Sequence, residues 1–125
     1  MKGKRKPMTD KDLTAIFHGA NIRFFGKSIS PAIKVRYVPQ KELDKRSGDP
    51  EGCDAMWCPM LGEIWIDEAY KRSMIVSSIL VLHEMAHAAL DRTYVGYPGK
   101  NEAHGMVYQA ELWRLIHAGA YDDLL

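Results

Sequence analysis

Apolar and polar residues recur along the chain with two different periods, and each period predicts a type of secondary structure. In the first quarter of the chain, apolar residues recur every three or four positions, the spacing of one helical face. These residues are Leu13, Ile16, Phe17, Ala20 and Phe24. Thr9 or Asp10 can cap such a helix, and Gly26 is expected to end it. The pattern predicts a first helix over residues 10–25.

Three later segments have the pattern of β-strands. Residues 33–38 and 63–67 alternate apolar and polar side chains, which is typical of half-buried strands. Residues 53–58 are interpreted as the strand between them, and residues 59–62 can turn it back into 63–67. Residues 39–51 are polar and predict a mobile connection. Together the three strands predict a small antiparallel sheet.

Two further helices are predicted in the second half of the chain. Residues 71–91 contain an apolar stretch from Ile75 to Leu82 that is apolar on nearly every side, which is typical of a buried helix. Gly and Pro residues over 96–99 break the chain, and Asn101 can cap a last helix. The predicted fold class is therefore α+β, with an N-terminal helix, a three-stranded sheet and two C-terminal helices.

Composition and charge fit one domain with a basic start. The chain has 125 residues, of which 46% are hydrophobic and 26% charged, as in ordinary globular domains. The net charge of +1 includes +4 from a cluster near the start, so the remaining residues sum to −3. That cluster is Lys2, Lys4, Arg5 and Lys6. We expect residues 1–8 to be a basic flexible tail and residues 9–125 to form a single domain.

The expected location is the cytoplasm. No apolar segment follows the basic start, and the longest apolar run, about residues 75–82, is too short to span a bilayer, so no membrane association is expected. Cys53 and Cys58 are expected to be free thiols, because their spacing lacks the second pair of ligands that a structural zinc site needs.

The buried helix contains the motif H-E-x-x-H, formed by His83, Glu84 and His87. Positions i and i+4 lie on the same face of a helix, so the two imidazoles can bind one ion. Glu84 lies at the edge of that face, where it can reach a metal-bound water without being a ligand. Because such groups are unfavourable on a buried helix unless they are paired or bound to metal, the motif predicts a zinc site.

A catalytic zinc usually has three protein ligands. Beyond the motif, the candidates for the third ligand are His18, Glu102, His104, Glu111 and His117. Glu102 and His104 lie about 200° apart around a helix, so at most one of them faces the ion. His104 shares a helical stripe with Tyr108 and Glu111, which favours His104 and leaves Glu102 open.

The residues around the motif resemble those of the SprT-like zinc metallopeptidases. His-Glu-Met-Ala-His-Ala at 83–88, followed by Glu-Ala-His-Gly-Met-Val-Tyr at 102–108, is similar to that family's HExxHA and H-G-x-x-F. Segments within 16–26 and 52–66 resemble its first helix and its second and third strands, so the resemblance covers about residues 10–118. Tyr108 replaces the usual Phe. Since no residues for a zinc ribbon follow the matched region, we expect a minimal zincin-like core.

The resemblance implies a zinc metalloendopeptidase that acts on protein or peptide substrates. It implies that Zn²⁺ is bound by His83, His87 and His104 and that Glu84 is the catalytic base. Expected partners of the ligand imidazoles are Asp91 for His87 and Glu111 for His104. The candidates for stabilising the oxyanion are Tyr94, Tyr97, Tyr108 and Arg114.

Substrate is expected along the third strand, because zincin-type sites commonly add an extended peptide to a sheet edge. The residues concerned are Ile64, Trp65 and Ile66.

Two other classes of protein also fit the sequence. One is a zinc-stabilised binding module with little or no hydrolytic activity, although a purely structural site needs no Glu84. The other is a protein that contacts nucleic acid through the basic tail. Further basic residues available to such a protein are Lys34, Arg36, Lys45 and Arg46.

Overall fold

The computed structural model describes residues 6–48, 52–93, 106–122 and 124. In this part of the chain, four α-helices and a three-stranded sheet form an α+β fold, which confirms the predicted class. The helices are α1 (Asp10–Phe24), α2 (Gln40–Ser47), α3 (Met74–Thr93) and α4 (Met106–His117). The strands are β1 (Lys34–Val38), β2 (Ala55–Cys58) and β3 (Glu63–Asp67), and a 3-10 helix, Glu68–Tyr70, follows β3.

Helix α1 begins with the caps that its sequence predicts. The main-chain N–H of Thr9 donates to Asp12 Oδ2 over 2.8 Å, and the Thr9 hydroxyl accepts from the Asp12 N–H over 3.3 Å. This capping box satisfies two N–H groups at the helix start. Gly26, with φ of 58°, lies just beyond the last residue, in a left-handed conformation that suits glycine. The predicted first helix is confirmed and ends one residue earlier.

The sheet is mixed, with strand order β1-β3-β2. β2 pairs with β3 antiparallel, because the turn after Cys58 is short and closes with a 2.9 Å bond from the Gly62 N–H to the Cys58 carbonyl. β1 pairs with the other side of β3 in parallel. The prediction of an all-antiparallel sheet is therefore wrong, since α2 and β2 form a crossover between β1 and β3.

Helix α2 occupies most of the segment that was predicted to be a mobile connection. Its one buried residue, Leu43, packs with Val38, Cys58 and Trp65 in a small second core. Gly48, with φ of 66°, ends the helix in the left-handed conformation. That prediction is therefore wrong over Gln40–Ser47, and residues 49–51 lie outside the described part.

Helix α3 is the central element of the main core, which lies between the sheet and α1, α3 and α4. Among the described residues, only Met74–Asp91 of α3 has the length and composition of a membrane span, and half of it is buried inside the fold. A buried core helix passes the same test of length and composition. Met8 packs against this core, and its N–H donates to the Lys71 carbonyl over 2.8 Å, so residue 8 belongs with the domain rather than with the predicted tail.

Candidate metal centre

The motif histidines lie one turn apart on α3, as the sequence predicts. The ring centres of His83 and His87 are 5.2 Å apart, with an interplanar angle of 63°. With Zn–N bonds of about 2.1 Å, two imidazoles on one tetrahedral zinc have ring centres about 5 Å apart. Both side chains are only partly buried. The pair therefore fits the binding of a single ion.

A cleft of about 570 Å³ opens beside these histidines, between α3 and β2. From α3 it is lined by Leu80, His83, Glu84 and His87, and from β2 and its flanks by Cys53, Asp54, Ala55, Met56, Trp57 and Pro59, with Ser47 from α2. Much of this wall is apolar. It also contains the two imidazoles, the carboxyl groups of Asp54 and Glu84, and the thiol of Cys53. The cleft thus combines the polar groups of the motif with space for an apolar side chain.

Glu84 lies at the base of this cleft and is only 6% exposed. Its Oε2 atom is 3.9 Å from His83 Nε2, and its carboxyl accepts a hydrogen bond from the main-chain N–H of Trp57. Burial raises the pKa of Glu84 to about 8, while the bond from Trp57 acts in the opposite direction. A cation beside the carboxyl would favour its ionised form, so this donor set fits a bound metal ion.

Tyr108 supports the two histidines from α4. Its ring is stacked on His87, with ring centres 4.4 Å apart, and lies 5.2 Å from the ring of His83. Tyr108 is 1% exposed, and its hydroxyl donates to the His83 carbonyl over 3.4 Å. The hydroxyl thus faces the main chain of α3, which favours a supporting role over the predicted contact with an oxyanion.

Four of the predicted metal ligands and oxyanion stabilisers lie outside the described part of the chain: Tyr94, Tyr97, Glu102 and His104. The basic residues Lys2, Lys4 and Arg5 of the predicted tail lie outside it as well. Within the described residues, no group of three or more His, Cys, Asp or Glu side chains could hold a metal. The prediction of a third ligand at His104, or at Glu102, therefore stays a prediction.

The remaining candidate ligands are engaged elsewhere in the fold. His18 contacts Phe17 on α1, and His117 contacts Trp113 on α4. Glu111 accepts two hydrogen bonds from Arg114, at 2.8 and 2.7 Å.

Arg114, a predicted oxyanion stabiliser, also donates to the Phe24 carbonyl at the end of α1 over 2.9 Å. It lines a separate cavity with residues of α1 and α3 rather than the cleft beside the motif. The structure therefore does not bring Arg114 to the candidate site.

The third strand has no free edge for a substrate. β3 is paired on both sides, and Ile64, Trp65 and Ile66 are all buried. The predicted position of a peptide along these residues is therefore corrected, because β3 turns out to be central. The strand with a free edge beside the motif is β2.

The sheet register shows which main-chain groups face outward from β2. The Asp67 N–H donates to the Asp54 carbonyl over 2.8 Å, which makes these two residues a hydrogen-bonded pair. Because such pairs alternate along antiparallel strands, the main-chain groups of Ala55 and Trp57 point away from β3. The bond from the Trp57 N–H to Glu84 agrees with this direction.

Trp57 also belongs to the site, although it was not among the predicted site residues. Its indole N–H donates to Asp91 Oδ2 over 3.0 Å. Asp91, one turn after His87, had been expected to bind the other nitrogen of that imidazole. The only signal in the sequence was an aromatic residue in the predicted second strand.

Comparison with protein-family models, curated proteins and solved structures finds no match for this chain. The features of the chain that bear on its function are the residues of the motif, their resemblance to the SprT-like peptidases and the geometry of the cleft.

Proposed function

We propose that this protein is a zinc-dependent metallopeptidase that cleaves peptide bonds in the cleft between α3 and β2. The observation that carries the proposal is the arrangement of the motif. The ring centres of His83 and His87 are 5.2 Å apart on one face of α3, beside buried Glu84. All three side chains line one cleft. The resemblance to the SprT-like family supports the same activity and suggests His104 as the third ligand.

The proposed roles follow from the position of each group. His83 and His87, with His104, would hold zinc, which when bound lowers the pKa of a water to about 7 and polarises a carbonyl. Glu84 takes the proton of the attacking water and passes it to the leaving amine. Its carboxyl lies 3.9 Å from His83 Nε2, close to the ligands without being needed as one of them.

The free edge of β2 is the proposed place for the substrate backbone. The outward N–H and C=O of Ala55 can pair with an extended peptide, as in other sheet additions. The apolar wall formed by Ala55, Trp57 and Leu80 can receive an apolar side chain of that peptide. The proposed substrate is therefore an extended or unfolded segment of a protein. The cytoplasmic location of the protein stays a prediction.

Removal and return of zinc tests this proposal. The purified protein is stripped with a chelator, incubated with a mixture of unfolded proteins, and analysed by mass spectrometry before and after zinc is added back. The Glu84→Gln variant, treated in the same way, serves as the control for contaminating peptidases. We expect new cleavage products only from zinc-loaded wild type. Equal cleavage without zinc, or none by the zinc-loaded protein, would overturn the proposal.

A further inference from the structure

We infer that Trp57 is a positioning residue for Glu84 and that its hydrogen bond to Asp91 fixes β2 against α3. The inference rests on the proposed function for its catalytic consequence. It assigns a role to two residues that neither bind the metal nor react with the substrate.

Trp57 occupies a position from which it can join the strand to the helix. Side chains alternate along β2, so Ala55 and Trp57 pack toward the main core while Met56 and Cys58 pack toward the smaller core. The indole therefore lies on the face of the sheet that α3 covers. Since β2 is an edge strand held by β3 on one side only, its other side depends on contacts of this kind.

The indole N–H makes a well-formed contact with α3. It donates to Asp91 Oδ2 over 3.0 Å, although the two residues are 34 positions apart in the sequence. Hydrogen bonds to ionised groups are stronger than those between neutral groups. This bond therefore ties one end of the cleft wall to the helix that carries the motif.

The main chain of Trp57 makes the second contact. Its outward N–H donates to the Glu84 carboxyl, which lies about two turns before Asp91 on α3. One strand residue thus touches two carboxyl groups of the same helix. If the indole bond is lost, β2 can shift relative to α3, and the hydrogen-bond partner of Glu84 shifts with it. Catalytic groups displaced by about 1 Å can lose roughly 100-fold in rate.

Kinetics of three variants test the positioning role. Trp57→Phe keeps an aromatic ring without the donor, Asp91→Ala removes the acceptor, and Asp91→Asn keeps an oxygen that can accept. We expect Trp57→Phe and Asp91→Ala to lower kcat by roughly 10- to 100-fold with zinc content unchanged, and Asp91→Asn to retain most of it. The control is Trp113→Phe, because Trp113 is 63% exposed on α4. If the bond were purely structural, its removal would lower only the melting temperature. Wild-type kcat in both Trp57→Phe and Asp91→Ala would therefore overturn the inference.

Amide hydrogen exchange of the metal-free protein tests the same contact without any activity. We expect the main-chain amide at position 57 to exchange at least about tenfold faster in Asp91→Ala and Trp57→Phe than in wild type, since the opening of β2 becomes easier. The exchange rate should be unchanged in Trp113→Phe, and circular dichroism confirms that each variant is folded. Unchanged exchange in both β2–α3 variants would contradict the inference.

The two measurements also separate failure of the inference from failure of the proposed function. If zinc-loaded wild type cleaves nothing, the proposed peptidase activity fails, and exchange at position 57 still decides whether Trp57 holds β2 on α3. If wild type cleaves and the exchange rate and kcat of the variants stay at wild-type values, the peptidase proposal stands and the positioning role is wrong.

Discussion

Each edge of the sheet has one outward N–H that donates to a carboxyl group, but the two carboxyl groups lie in different surroundings. On β1, the outward N–H of Tyr37 donates to Asp10 Oδ1 over 2.8 Å. On β2, the outward N–H of Trp57 donates to the Glu84 carboxyl. Asp10 is exposed in the first turn of α1, where a carboxylate is favourable beside the helix N-terminus. Glu84 is buried in the middle of α3, and burial raises its pKa to about 8.

The difference in burial between Asp10 and Glu84 bears on the role of Glu84. An exposed carboxylate such as Asp10 is sufficient to satisfy an edge N–H and to discourage pairing with another chain. Burying a carboxyl is unfavourable and is not needed for that purpose. Glu84 also lines one cleft together with two imidazoles, whereas the cleft that Asp10 lines contains no imidazole. The comparison therefore favours a catalytic role for Glu84 over the alternative of a zinc-stabilised binding module.

The largest effect is expected from the two motif histidines. His83→Ala or His87→Ala should weaken zinc binding by more than roughly 100-fold, because even residues that only support a ligand are worth 10- to 100-fold. His18→Ala is the control, since His18 contacts Phe17 on α1. Elemental analysis should give about one zinc per wild-type chain, and a folded wild type without zinc would contradict the prediction.

The third ligand is the next test, and it concerns residues outside the described part. His104→Ala should weaken zinc binding by orders of magnitude, comparable with the motif histidines, while Glu102→Ala should change it little. A competition titration with a chromophoric chelator measures both affinities. The reverse result would place this chain among zincins with a glutamate ligand, and would leave the proposed role of Glu84 unchanged.

We expect the ring of Tyr108 to contribute more to the free energy of unfolding than its hydroxyl does. Tyr108→Ala leaves a cavity beneath the histidines and should lower the free energy of unfolding by about 3–5 kcal/mol. Tyr108→Phe should lower it by less than about 1 kcal/mol, because the bond it removes is long, at 3.4 Å. Denaturant unfolding of both variants measures the difference. Equal losses would show that the hydroxyl carries the effect.

The smallest effect is expected at the other edge of the sheet. Asp10→Ala removes the acceptor for the Tyr37 N–H and should lower the free energy of unfolding by about 1 kcal/mol. Zinc content and hydrolysis should stay at wild-type values, because Asp10 is not part of the cleft. If hydrolysis fell by more than the fraction of folded protein, the expected difference between Asp10 and Glu84 would be contradicted.

Local signals in the sequence predicted α1 and α3, of which α3 carries the motif. The period of apolar residues and the cap at Thr9 located α1, and the continuous apolar face located α3. Helix α2 was missed because Leu43 is its only buried residue, so its polar sequence shows no apolar stripe. The parallel pairing of β1 was missed because it depends on a crossover that no local pattern specifies.

The same distinction applies to the candidate site. His83, Glu84 and His87 are close in sequence, and helical geometry alone places them together. The contact between Trp57 and Asp91 joins residues 34 positions apart and requires the position of β2 on α3, which the sequence does not encode locally.

The most direct test of the proposed activity is a comparison of wild type, Glu84→Gln and Asp10→Asn in one assay of zinc content and peptide hydrolysis. Both substitutions replace a carboxyl that accepts from an outward N–H of a sheet edge with an amide of similar shape. We predict equal zinc content in all three proteins, wild-type hydrolysis by Asp10→Asn, and a loss of roughly 100-fold or more in Glu84→Gln, the usual worth of positioned acid–base catalysis. Hydrolysis by zinc-loaded Glu84→Gln at the wild-type rate would contradict the role of Glu84 as catalytic base.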